Sequence, residues 1–311
     1  MHRFPTFATA LAALGVPALF AMATLPASAA ARPATAGPMP TLATACEGRD
    51  AWDAPAPPQR IFGNTWYVGT CGISAVLVTS TAGHILVDGG VPEAAPLVLA
   101  NIRAAGFRPR DVRWIVSSHE HWDHAGALAA LKRATGARLA LRAPSAKALA
   151  SGTVPAGDPQ AAGLRPSPAV MADRIVDDGA VVSVGPLRLT AHATPGHSPG
   201  STSWTWRSCA GADCRAMAYA DSVTALASGS WRFSDHPAYV ASFRRALTTV
   251  AALPCDILMT PHPEASDLFA RLAHGTPPRD PGACRAYAAR GAARLDETLA
   301  KEAGAPQKPA P

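Results

Sequence analysis

No basic run in this sequence is longer than Arg244-Arg245, and no stripe of cations is interleaved with aromatic residues. The formal charge of +6 and pI near 9.2 therefore do not read as a nucleic-acid surface, which would concentrate its charge. Scattered cations give solubility and a weak pull on small anions, largely screened at physiological salt. Beyond residue 25 no apolar run is long enough to span a bilayer. An H-E-x-x-H protease motif is missing as well: His119-Glu120 is followed by Asp123 where the second His would have to stand. With 16% charged and 48% apolar residues, the 311-residue chain can bury a large core, as one sizeable α/β domain or two small ones.

The N-terminus is apolar where the rest is mixed. Arg3 precedes the stretch from Phe7 to Leu25, broken by Gly15 and Pro17, and Ala27-Ser28-Ala29 has the small-x-small form of a cleavage site. Residues 1–29 read as a signal peptide cleaved near Ala29/Ala30, so the mature protein is expected in the periplasm, free of the membrane. Residues 30–44, rich in Ala, Pro and Thr, read as a flexible linker. Residues 45–302 read as the folded domain and 303–311 as a disordered tail. All six cysteines (Cys46, Cys71, Cys209, Cys214, Cys255 and Cys284) fall in the mature part, where an even count favours disulfides over thiolate metal ligands. Cys209 and Cys214 flank a hairpin tip; the remaining pairings stay open.

Short apolar runs at 65–68, 73–79, 84–88, 112–116, 138–142 and 256–260 predict strands, and 181–194 and 203–220 predict hairpins. Helical patterns occupy 96–105, 125–135, 145–150, 239–252 and 284–301. Residues 151–171 are rich in Gly and Pro without periodicity and read as a flap near the site. This order predicts an α/β fold of two mixed sheets packed face to face with helices outside, and a site along one edge.

The chemistry centres on Ser117-Ser118-His119-Glu120-His121-Trp122-Asp123-His124, placed between an apolar strand and a helix. Three imidazoles and a carboxylate within six residues need a compensating partner, and neutral imidazole with carboxylate is a ligand set for zinc. His197 and His262 share the setting, each just after a strand and held among Pro or Gly residues. His119, His121, His197, Asp123, His124 and His262 suffice for two zincs with three protein ligands each, and leave each cation a position for water or substrate. Two such cations ~3.5–4 Å apart can share a hydroxide. His84, His236 and His274 have no partner pattern, and His192 reads as a supporting group.

The combination of His119-x-His121-x-Asp123-His124, Gly196-His197-Ser198-Pro199-Gly200-Ser201 and His262 resembles the metallo-β-lactamase fold superfamily. Residues 66–73, 87–90, 219–222, 253–255, 261–266 and 284–287 bring the resemblance closer to the class B, subclass 3 β-lactamases, over about residues 50 to 302. It implies an αββα sandwich with one zinc on His119, His121 and His197 and a second on Asp123, His124 and His262. It implies that Ser222 and Thr224 hold the substrate carboxylate and that Asp123 orients the attacking hydroxide. It also implies disulfides Cys255–Cys284, Cys209–Cys214 and Cys46–Cys71. Glu120 and Trp122 stand at variable positions of the motif, so no role comes to them. The implied activity is hydrolysis of the β-lactam amide of penicillins, cephalosporins and carbapenems by a monomer, conferring antibiotic resistance. The alternative is another exported hydrolase of this fold acting on a lactone, thioester or phosphoester, in which Asp221 would bridge the metals.

Overall fold

A computed structural model describes residues 40–304; residues 1–29 read as a signal peptide, 30–39 of the stretch read as linker and 305–311 of the stretch read as tail lie outside the described residues. Strands β1 (Gln59–Phe62), β2 (Thr65–Tyr67), β3 (Val76–Val78), β4 (His84–Val87), β5 (Val112–Val116), β6 (Arg138–Leu141) and β7 (Arg174–Ile175) form one sheet in that order. Its first four strands pair antiparallel, and β4 to β7 run parallel. The second sheet holds β8 (Val181–Val184), β9 (Leu187–Ala193), β10 (Thr202–Ala210), β11 (Asp213–Tyr219) and β12 (Ile257–Met259), in spatial order β12-β11-β10-β9-β8. All of its pairs are antiparallel except β11 with β12. The helices are α1 (Leu42–Ala45), α2 (Ala95–Ala104), α3 (Trp122–Ala125), α4 (Leu128–Thr135), α5 (Ala143–Ser151), α6 (Pro237–Ala251), α7 (Leu268–Leu272) and α8 (Ala283–Gly304).

Strand alternation sorts the apolar side chains into layers. Val76, Val78, Ile85, Val87, Trp114 and Val116 face the second sheet and pack with Leu189, Trp204, Met217 and Ile257. The residues between them, Leu77, Leu86 and Ile115, face outward onto Val98 and Ile102 of α2 and Leu128 and Leu131 of α4. On the far side, Ala218 and Leu258 pack on Phe243, Leu247 and Val250 of α6 and Tyr287 and Leu295 of α8. Each fully buried aliphatic side chain stabilises this arrangement by about 1.5–3 kcal/mol. The result is the expected αββα sandwich.

The structure departs from the sequence reading in a few places. Leu42 is fully buried in the intersheet cluster and its N–H donates to Gln59 Oε1 at 2.8 Å, so part of the stretch read as linker packs into the domain. Helix α8 continues to Gly304, past the expected start of the tail. The helix read at 125–135 is split, because Ala127 N turns away to donate to Gly90 O at 2.9 Å. Asp123 and His124 consequently lie on the separate turn α3 rather than ahead of a helix. β1 and α7 had no signal: one follows a Pro-rich segment and the other is five residues long.

Cys46–Cys71, Cys209–Cys214 and Cys255–Cys284 are bonded, with no free cysteine among the described residues. Cys209–Cys214 joins directly opposed residues of β10 and β11 and closes a loop with a sequence separation of only 5. Loop-closure entropy then predicts that the Cys209→Ala/Cys214→Ala pair costs about 2 kcal/mol. Urea unfolding of the metal-free protein measures it; no change in midpoint would show that the hairpin holds itself.

Candidate metal centre

Strands β4 and β5 are parallel to each other, as are β11 and β12, and β9 runs the same way as β11, two places away in its sheet. Their C-terminal ends therefore lead into loops along one edge. Residues 117–124 follow β5, 194–201 follow β9, 220–224 follow β11 and 260–266 follow β12. Loops projecting from a packed scaffold are where side chains converge without disturbing the core.

The six sequence-predicted ligand residues meet there. One ligand nitrogen from each of His119, His121 and His197 lies within 4.8 Å of the others, and the same holds for a nitrogen each of His119 and His124 with a carboxylate oxygen of Asp123. Asp123 Oδ2 lies 3.0 Å from His124 Nε2 and 3.3 Å from His262 Nε2, so His262 joins the second group through Asp123. The ring centroids of His124 and His262 are 4.9 Å apart.

Hydrogen bonds behind these rings show which nitrogen faces the centre. His119 Nδ1 donates to Asp221 Oδ1 at 2.8 Å, leaving Nε2 buried with no partner. His121 Nε2 donates to Asp158 Oδ2 at 2.8 Å, leaving Nδ1. His197 Nδ1 meets Thr224 Oγ1 at 2.8 Å and Thr224 O at 3.1 Å, leaving Nε2. Both ring nitrogens of His124 are buried without a hydrogen bond, the contact with Asp123 being an ion pair rather than an aligned bond. Orphaned buried nitrogens on His119 and His124, beside converging imidazoles of which His119, His121 and His197 are fixed from behind, fit a divalent cation.

The electrostatics point the same way. Burial, then the neighbouring His124 and His121 rings, hold His119 well below the usual imidazole range. Burial, with His119 and His121 beside it, does the same to His197. Burial opposes ionisation of Asp123, yet the His124 charge and the close approach of the His124 and His262 nitrogens hold its carboxylate well below the usual range. His124 moves upward: burial opposes the shift, but the contact with Asp123 and the charges of Asp88 and Asp221 together outweigh it.

Several residues that hold the site were not visible in the sequence. Asp88, fully buried at φ 60°, accepts from Ser117 Oγ (2.9 Å) and Ser118 N (2.6 Å) at Oδ1, and from Ser118 Oγ (2.7 Å) and Tyr219 OH (2.7 Å) at Oδ2. The N–H groups of Gly89 and Gly90 both donate to His124 O at 3.1 Å. The loop read as a flap supplies Asp158 behind His121, and it places the Gln160 amide 3.4 Å from His197 Nε2. The same loop, through Leu164 and Arg165, walls a cleft of about 800 Å³ together with Trp52, Trp122 and Asp123. Its Gly and Pro content hid those contacts.

Ser222 is buried (7% exposed) and follows Asp221 directly. Thr224, expected on a substrate carboxylate, has its hydroxyl on the back of His197. Asp221, considered as a metal bridge, has Oδ1 on His119 Nδ1 and belongs to neither group of converging ligand atoms. His192 bonds Thr205 Oγ1 at 2.7 Å on the sheet and supports no ligand.

The family profile described as the metallo-beta-lactamase superfamily matches residues 68–262. The structure is similar to that of the metallo-beta-lactamase MIM-1 from Novosphingobium pentaromativorans, with TM-score 0.83 and 53% identity over 85% of this chain and 98% of that one. It is also similar to MEM-A1, a subclass B3 metallo-beta-lactamase from a soil metagenome library, with TM-score 0.78 and 45% identity over 81% and 98% of the chains. A hydroxyacylglutathione hydrolase of Anaeromyxobacter dehalogenans is 38% identical over 130 residues, 42% of this chain and 40% of that protein. The alignments span less than half the length of the curated relatives.

Proposed function

The chain belongs to the metallo-beta-lactamase superfamily, in its subclass B3 branch, and from that premise we propose that it hydrolyses the amide of β-lactam rings with two zinc ions. The observation that carries the reading is the convergence of His119, His121 and His197, and of Asp123 with His124 and His262, around the buried, unpartnered nitrogens of His119 and His124. His119 Nε2, His121 Nδ1 and His197 Nε2 would hold one ion, and Asp123, His124 and His262 the other. Zinc bound there supplies a Lewis acid for the lactam carbonyl and lowers the pKa of water to ~7.

The chain's own groups do the rest. Asp123, held ionised, orients the attacking water and accepts its proton at the carboxylate. Ser222 meets the substrate carboxylate. Thr224 has its hydroxyl committed to His197, so its part is to fix that ring. Trp52 and Trp122, with ring centroids 6.4 Å apart, flank the cleft beside Asp123 and narrow the approach of water and substrate. All six ligands come from one chain, which supports action as a monomer.

Three disulfides support an oxidising compartment. On this reading the N-terminal leader takes the chain to the periplasm, where β-lactam hydrolysis would confer antibiotic resistance. Among the described residues no helix is long and apolar enough to cross a membrane.

A panel of a chromogenic cephalosporin, a carbapenem, a lactone and a thioester tests the substrate class. Faster hydrolysis of the two β-lactams supports the reading. Hydrolysis of the lactone or thioester alone sinks it. Asp221 behind His119, rather than between the ligand groups, already argues against the lactonase and thioesterase arrangement.

Protons compete with metal for imidazole, so the two positions should empty at different pH. The His124 pKa is raised above 6.5, whereas those of His119 and His197 are lowered well below it. As pH falls, His124 is the first of these to gain a proton. Equilibrium dialysis from about pH 8 to about pH 5 is expected to show a two-to-one step in bound metal before a one-to-zero step. Simultaneous loss of both would contradict the assignment.

A further inference from the structure

Glu120 lies between two ligand residues, yet nothing in the mechanism uses it. Alternation along the extended segment turns it away from His119 and His121, and its residue is only 5% exposed. A carboxylate buried to that degree needs partners, and every hydrogen-bond partner found for it lies on another segment. Oε2 accepts from Ser145 Oγ at 2.7 Å and from Ser198 Oγ at 3.2 Å. Oε1 accepts from the backbone N–H of Gly200 at 3.1 Å. Ser198 and Gly200 belong to the turn that carries His197.

The two segments touch elsewhere through Thr202 N donating to Ser118 O at 2.7 Å, but that bond sits at the start of β10, outside the turn. Arg142 braces the turn from its far end, donating to Ser201 O at 3.0 Å. The packing around Gly200 is too close for any other residue: a Cβ there would lie 2.0 Å from Ser145 Oγ and 2.1 Å from Glu120 Oε2. The chain has thus reserved a glycine so that the Glu120 carboxylate can reach the backbone of the turn.

We infer that Glu120 is a positioning residue that straps the His197 turn to the His119/His121 segment and so sets the spacing of the three-imidazole ligand group. The centroid separations it governs are 4.9 Å for His119–His197 and 5.0 Å for His121–His197. The strap depends on reach more than on charge. Glutamine keeps the length and an acceptor for Gly200 N–H. Ser145 Oγ can turn to Gly200 O, already 3.3 Å away, and Ser198 Oγ to Ser201 Oγ at 3.2 Å, so both hydroxyls can accept from the new amide. Aspartate keeps the charge but is one methylene short.

The inference rests on reading the three imidazoles as a metal position, and the test separates the two. Metal-free wild type, Glu120→Gln, Glu120→Asp and Glu120→Ala are titrated with zinc against a chromophoric chelator, with folding checked by circular dichroism. Loss of the strap is expected to weaken the three-histidine position about 10- to 100-fold in Glu120→Asp and Glu120→Ala, as for other groups that orient ligands from behind. Glu120→Gln is expected to stay close to wild type, and the Asp123/His124/His262 position to be unchanged in all. The comparison of Gln with Asp decides the question even if the alanine chain does not fold. Wild-type affinity in Glu120→Asp, or a Glu120→Gln chain that is as weak as Glu120→Asp or fails to fold, overturns the strap. Wild type that binds no zinc overturns the metal reading instead.

Discussion

Replacing Asp123 by alanine is expected to lower β-lactam turnover by on the order of a thousandfold and to leave one of the two metal positions empty. Asp123 is the only carboxylate among the six converging residues, and its Oδ2 is the atom that both His124 Nε2 and His262 Nε2 approach. Without it those two imidazoles face each other with no negative charge between them. His124 also loses the partner that raises its pKa, so burial pushes its ring toward the neutral form. Asp123→Asn separates the two roles of the carboxylate: it keeps the shape and an oxygen ligand but removes the charge and the capacity to take a proton. Turnover in the Asn variant should remain far below wild type even where metal content partly recovers. Metal analysis beside steady-state kinetics checks both. Wild-type turnover by an Asp123→Ala protein holding one zinc would remove Asp123 from the mechanism.

Asp221→Ala is expected to weaken the three-histidine position by up to about 100-fold. The His119 ring and the Asp221 carboxylate are both fully buried, and the 2.8 Å bond between Nδ1 and Oδ1 fixes which nitrogen of His119 faces the centre. Removing the acceptor leaves Nδ1 only the Ser118 hydroxyl at 3.2 Å, so the ring can change tautomer and rotate, and a buried charge-assisted hydrogen bond is lost at a cost of about 1–3 kcal/mol. Asp221→Asn retains an acceptor oxygen and should fall between wild type and Ala. Zinc competition titration reads the affinity, and urea unfolding of the metal-free protein reads the stability. An unchanged affinity in Asp221→Ala would mean that the loop alone orients His119.

The six converging residues could be found in the sequence because four of them lie within six positions and the other two stand in Pro/Gly-bounded turns directly after strands. The short apolar runs of Val76–Val78, His84–Val87 and Val112–Val116 likewise made the sandwich legible. The groups behind the ligands were another matter. Asp158 reaches His121 from a loop with no periodicity, and Asp88 reaches Ser118 across 30 residues. Glu120 was in plain view, but its partners are 25 to 80 residues away, and only packing brings them together. The resemblance places Thr224 on the substrate carboxylate beside Ser222, whereas its hydroxyl turns back onto His197. Local chemistry fixes which residues bind; tertiary contacts fix which atom of each one does so.

The most direct measurement takes the purified full-length mature chain, counts zinc by elemental analysis, and follows hydrolysis of a carbapenem before chelation, after chelation and after zinc is returned. The account predicts two zincs per chain, loss of hydrolysis when they are removed, and recovery in step with their return. Carbapenem hydrolysis that persists in zinc-free protein, or a fully loaded protein that leaves every β-lactam intact, would contradict it.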